Sequence, residues 1–122
     1  MLIKELYSIQ SFTETDGMVQ ASVKLNRSHE VFKGHFPGNP IMPGVCTIQI
    51  VKELTEKALD KKLFLSVVSN VKFISIINPE KNETIQVVLN ISEEEDAVKV
   101  KNTVSYEHTL ALKLNATFKV LS

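Results

Sequence analysis

Residues 34–44 read Gly34-His35-Phe36-Pro37-Gly38-Asn39-Pro40-Ile41-Met42-Pro43-Gly44, and they hold three of the four prolines and three of the four glycines of a 122-residue chain. No regular strand or helix tolerates so many residues lacking either an N–H donor or a Cβ, so the stretch is a shaped loop. Its prolines restrict the unfolded backbone, and a fixed loop shape is therefore held at small entropic cost. Pro43 also suits a helical first turn, where its missing N–H has no partner to lose. The spacing that follows predicts a helix from about Pro43 to about Asp60. Its first turns, Val45 to Val51, are apolar on nearly every side, with Gln49 the one strongly polar interruption, whereas Lys52 to Lys62 are amphipathic. Such a helix begins inside the protein and ends at its surface.

Outward from the loop, the chain reads as strands. On the N-terminal side lie Leu2–Phe12 and Gly17–Leu25, with Thr15-Asp16-Gly17 as the turn between them. Val19, Ala21, Val23 and Leu25 alternate with Gln20, Ser22 and Lys24, the period of a strand buried on one face. On the C-terminal side come Phe64–Ile77, Thr84–Ile91, Ala97–Tyr106 and Thr109–Leu121, with turns at Asn78–Asn82 and Glu93–Asp96. One long apolar helix and five or six strands arriving as hairpins give an α+β architecture, an antiparallel sheet wrapped around a helix.

The totals bound the rest. A length of 122 residues suits a single domain, residues 1–122, with one core. Fourteen basic and fourteen acidic residues leave no net charge, so nothing in the balance points to nucleic acid or an anionic membrane. The lone Cys46 rules out an intrachain disulfide and a cysteine-based metal cluster, and sits in the helix as a small hydrophobe. The N-terminus carries acidic and polar residues too early for a signal peptide, and no apolar run approaches a membrane span. A soluble cytoplasmic protein is the expectation. His29 and His108 have no motif around them and read as surface residues, and Glu93–Asp96 as a solvated turn.

His35, Gly44 and the helix start between them carry the chemistry. Unpaired N–H groups at a helix start point outward, the helix dipole favours negative charge there, and Gly44 allows close approach to its backbone. An imidazole base beside such an oxyanion site suits abstraction of a proton next to a thioester carbonyl.

The segment Gly34-His35-Phe36-Pro37-Gly38-Asn39-Pro40-Ile41-Met42-Pro43-Gly44-Val45 resembles the active-site segment of the 3-hydroxyacyl-acyl-carrier-protein dehydratases of fatty-acid synthesis. Phe32 ahead of it, the run Asn70–Pro79 and the closing Val104–Val120 extend the similarity over most of the chain. The resemblance implies a hotdog fold, a curved antiparallel sheet around one central helix, and a dimer with two sites at its interface. It implies a substrate carried on acyl-carrier protein or coenzyme A, with no metal or redox cofactor. His35 is then the catalytic histidine, and the Gly44 amide binds the thioester carbonyl. The acyl chain, the part with enough apolar area to drive binding, is expected in a tunnel near Phe36, Ile41, Met42 and Val45.

One position departs from the family. Its carboxylate stands six residues after the proline of Pro-Gly-Val, where this chain has Gln49. An amide hydrogen-bonds a hydroxyl but cannot donate and regain a proton, and general acid catalysis contributes roughly 10²–10⁴-fold. Glu53, one helical turn on, offers a second candidate for the acid. Three functions fit these residues. The chain dehydrates 3-hydroxyacyl thioesters with Gln49 or Glu53 at the departing hydroxyl; it is an acyl thioesterase; or it is one subunit of a heterodimeric dehydratase whose partner supplies the acid, since the family's histidine and acid come from different subunits.

Overall fold

The computed structural model describes residues 6–32 and 42–121, the side chain of Val31 excepted. The elements are β1 (Tyr7–Thr15), β2 (Met18–Leu25), a short 3-10 turn (Glu30–Phe32), α1 (Gly44–Leu59), β3 (Leu63–Phe73), β4 (Thr84–Glu93), β5 (Ala97–Tyr106) and β6 (Thr109–Val120). The strands form one antiparallel sheet in the order β1-β2-β4-β5-β6-β3, wrapped around α1. This is the hotdog arrangement. Of the expected first strand, residues 2–5 lie outside the described residues; β1 runs on past Phe12 to Thr15, and the regular part of β3 stops at Phe73, four residues short of the end of the apolar run at Ile77.

Two-residue hairpin loops set the register. Asp16 and Gly17 both have positive φ, the turn that matches strand twist. Gly17 is required twice over, because a Cβ there would lie 2.7 Å from the Ile91 carbonyl oxygen. Glu107 and His108 make the corresponding turn between β5 and β6 without glycine.

Period-2 alternation buries one face of β2, β4 and β5 against α1. Cys46, Thr47, Ile50, Val51, Leu54 and Thr55 form the buried stripe of the helix, and its apolar members share one core with the fully buried Phe118, Leu89 and Ile85 of the sheet. Pro43 caps the helix with extended backbone, and Asp60 closes it in the left-handed conformation, its N–H donating to the Glu56 carbonyl. No helix among the described residues is long and apolar enough to cross a membrane.

Candidate active site

Two clusters of functional groups flank the buried stripe of α1. The first lies at the helix start. Cys46 N–H donates to the Pro43 carbonyl at 3.0 Å, which leaves the Gly44 and Val45 amides without a partner among the described residues, as the geometry of a helix N-terminus requires. The Phe73 ring packs on Gly44, so that a Cβ on Gly44 would lie 2.9 Å from its Cζ. Beside them is an apolar cleft of about 420 Å³ lined by Met42, Gly44, Thr47, Phe73, Ile76 and Leu112, among others. Larger concavities, of about 610, 600, 550 and 500 Å³, lie elsewhere on the sheet and its turns; among the described residues the cleft at the helix start has the most apolar walls of these.

Hydrogen bonds fix this cleft. Met42 N–H donates to the Ile77 carbonyl at 2.9 Å, tying the helix entrance to the segment that follows β3. Ile74 and Ser75 N–H both donate to the Ala111 carbonyl, at 2.8 and 3.1 Å. Tyr106 Oη donates to the Ile76 carbonyl at 3.1 Å and accepts from Ser75 Oγ. The run Ile74–Ile77 thus leaves the sheet yet is held as a wall. Thr47, Phe73, Ser75 and Tyr106 carry no sequence signal that sets them apart from ordinary strand and helix residues. Their roles come from the chain path after β3.

The second cluster joins α1 to β1. Glu53 accepts two hydrogen bonds, from Tyr7 Oη to Oε1 at 2.6 Å and from Gln49 Nε2 to Oε2 at 2.9 Å. Burial, and then the hydrogen bond to Glu53 and its charge, push the Tyr7 phenol well above its ordinary value, so Tyr7 is a donor across the physiological range. One turn further, Lys57 Nζ stands 5.4 Å from the centroid of the Phe12 ring, a second link between helix and strand. Tyr7 is a site residue that the sequence did not single out.

The predicted residues are placed as follows. Met42 is buried in the cleft wall and Gly44 opens onto it. Val45 is 67% exposed, turned outward from the single chain. Gln49 and Glu53 sit together in the second cluster. His35, Phe36 and Ile41 lie outside the described residues. Burial raises the Cys46 thiol, which keeps it protonated and unreactive. At about 100° per residue, Gln49 lies about 140° around the helix from Gly44, so one chain presents the two halves on opposite flanks.

Comparison with known proteins agrees with this fold. The model of the ApeI-like family, described as ApeI dehydratase, matches residues 11–114. The chain is 31% identical over 101 residues to the 3-hydroxyacyl-acyl-carrier-protein dehydratase FabZ of Lactobacillus helveticus, a match covering 76% of this chain and 67% of that one. To the FabZ of Oenococcus oeni it is 32% identical, covering 77% and 66%; the chain thus spans about two thirds of the length of these relatives. Among solved structures, the dehydratase heterocomplex ApeI:P of Xenorhabdus doucetiae superposes with a TM-score of 0.72 at 21% identity, covering 93% of this chain and 96% of that one. A mutant thioesterase of Pseudomonas aeruginosa superposes at 0.65 with 12% identity, covering 93% and 80%. Both structures share the fold. With a match to 104 of its residues and FabZ relatives alongside, the chain belongs to the ApeI-like family of hotdog dehydratases.

Proposed function

We propose that the protein dehydrates 3-hydroxyacyl groups held as thioesters on acyl-carrier protein or coenzyme A, giving the trans-2-enoyl product. His35 takes a proton from C2, and the Gly44 N–H receives the negative charge that develops on the thioester oxygen. Gln49 holds the departing C3 hydroxyl. The proton taken from C2 returns to that hydroxyl from His35, directly or through a water, and leaves with it as water. The observation that carries this reading is the Gly44 amide, unpartnered among the described residues, at the edge of an apolar cleft. Met42, Phe73 and Ile76 give the cleft enough apolar surface to hold an acyl chain.

The separation of Gly44 from Gln49 around α1 favours a site completed by two chains. β3 is an edge of the sheet, and it exposes Phe64, Val67 and Phe73, with Ile76 just beyond its end. An apolar edge of that kind calls for a cover. A second copy of this chain meets the requirement. A related subunit meets it as well, supplying a carboxylate where this chain has an amide that cannot transfer a proton.

Incubating the purified protein with a 3-hydroxyacyl thioester tests the reading. Enoyl formation, followed by ultraviolet absorbance, is expected and should fall by about 10²-fold or more in His35→Ala. Release of free thiol without enoyl product would identify a thioesterase instead. Activity that appears only when a second dehydratase-like chain is added would select the heterodimer.

A further inference from the structure

We infer that Tyr7 and Glu53 are positioning residues, which hold the amide of Gln49 with its nitrogen turned to Glu53 and its carbonyl oxygen left for the substrate. The inference rests on the dehydratase reading and specifies what that site recognises. A carboxylate oxygen accepts hydrogen bonds and cannot donate one, so of the two ends of the Gln49 amide only the NH₂ can face Glu53. The other end, Oε1, is an acceptor and has no partner among the described residues. An acceptor at this position selects a substrate group that donates, and on a 3-hydroxyacyl thioester that group is the C3 hydroxyl.

Tyr7 fixes the other side of the carboxylate. Without its hydroxyl, Glu53 would keep a single donor and its side chain could swing about the helix; with it, the 2.6 and 2.9 Å bonds span β1 and α1 and hold both oxygens. Tyr7 lies at the start of β1 and is tied through Leu25, its register partner, to the sheet. The chain Tyr7–Glu53–Gln49 thus passes the rigidity of the sheet to a single amide. It also accounts for the positions of the two polar side chains: with the amide at 49 and the carboxylate at 53, the acid serves as support and the amide as the contact.

Binding of two ligands of equal chain length separates this role from a structural one. In a His35→Ala background, which leaves the substrate unconverted, 3-hydroxybutyryl-coenzyme A and butyryl-coenzyme A are compared by calorimetry. The intact network should favour the hydroxylated ligand by about 5–10-fold, the scale of one net hydrogen bond. Tyr7→Phe and Glu53→Leu should reduce that preference to about 2-fold or less while leaving affinity for butyryl-coenzyme A unchanged. Glu53→Gln should retain most of it, because an amide oxygen at 53 still accepts from Gln49. If Tyr7→Phe and Glu53→Leu keep the full preference, or weaken both ligands alike, the positioning role is overturned while the dehydratase reading stands. If the wild-type chain, alone or with a dehydratase-like partner, converts no 3-hydroxyacyl thioester, both fail. Tyr7→Phe deletes one oxygen atom and carries the test should Glu53→Leu not fold.

Discussion

At the scale of single residues, the site is built from groups whose chemistry is set by what touches them. Tyr7 shows this through its pH dependence. Its phenol is raised in the folded chain by burial and by Glu53, whereas in the unfolded chain it titrates near the usual value of about 10. A raised folded value means that the folded state holds its proton more tightly. The stabilisation is therefore fully present below pH ~10 and is lost as pH rises further toward the folded value. Thermal unfolding of wild type and Tyr7→Phe should show a stability difference that is constant from pH 7 to 9 and shrinks above pH 10. A difference independent of pH across that range would mean that the Tyr7–Glu53 bond contributes nothing to folding. Gly44 shows the same dependence on neighbours: its φ makes no demand for glycine, and the Phe73 ring is what crowds the space a side chain would fill.

At the scale of elements, α1 was read from its sequence nearly end to end, since Pro43 and Asp60 are its caps and Gly44–Leu59 its body. Proline fixes its own φ and asparagine or aspartate tolerates the left-handed region, so both ends are written in local chemistry. Asp60 nevertheless sits at φ 52, which glycine adopts without a Cβ penalty. Asp60→Gly should stabilise the protein by about 0.5–1 kcal/mol, measured as a rise in the urea midpoint; a fall would show that the Asp60 side chain makes a compensating interaction. The end of β3 was not legible in this way. Phe73 to Ile77 is as apolar as a strand, yet Ile74 and Ser75 both bond to Ala111 and the chain leaves the ladder there. Hydrophobic pattern records burial or the need for it, and cannot say whether a sheet partner or a cleft meets that need.

At the scale of the whole molecule, the proposed site calls for a second chain, because Gly44 and Gln49 lie on different flanks of α1 and the β3 edge is open. Light scattering at micromolar concentration should give the mass of a dimer for the chain alone. Lysine on an edge strand is the residue that blocks edge-to-edge pairing, so Val67→Lys with Val71→Lys should reduce the mass to that of a monomer. A dimer that survives both changes would place the interface elsewhere. Charge also acquires a pattern only here. The fourteen basic and fourteen acidic residues cancel in the sequence, but the register sets Lys72 directly across from Lys113, beside Lys101 on a groove of the outer sheet face.

The sequence alone determined the fold class, the caps of α1 and the strands from Thr84 onward. These rest on local signals: period, turn chemistry and a loop motif dense in proline and glycine. Only the tertiary structure brought Tyr7 to Glu53, 46 residues away in sequence, and laid Phe73 on Gly44. Those relations join residues distant along the chain, or depend on which side of a helix a distant strand packs. No local pattern encodes them, because each is settled by how the curved sheet closes around α1.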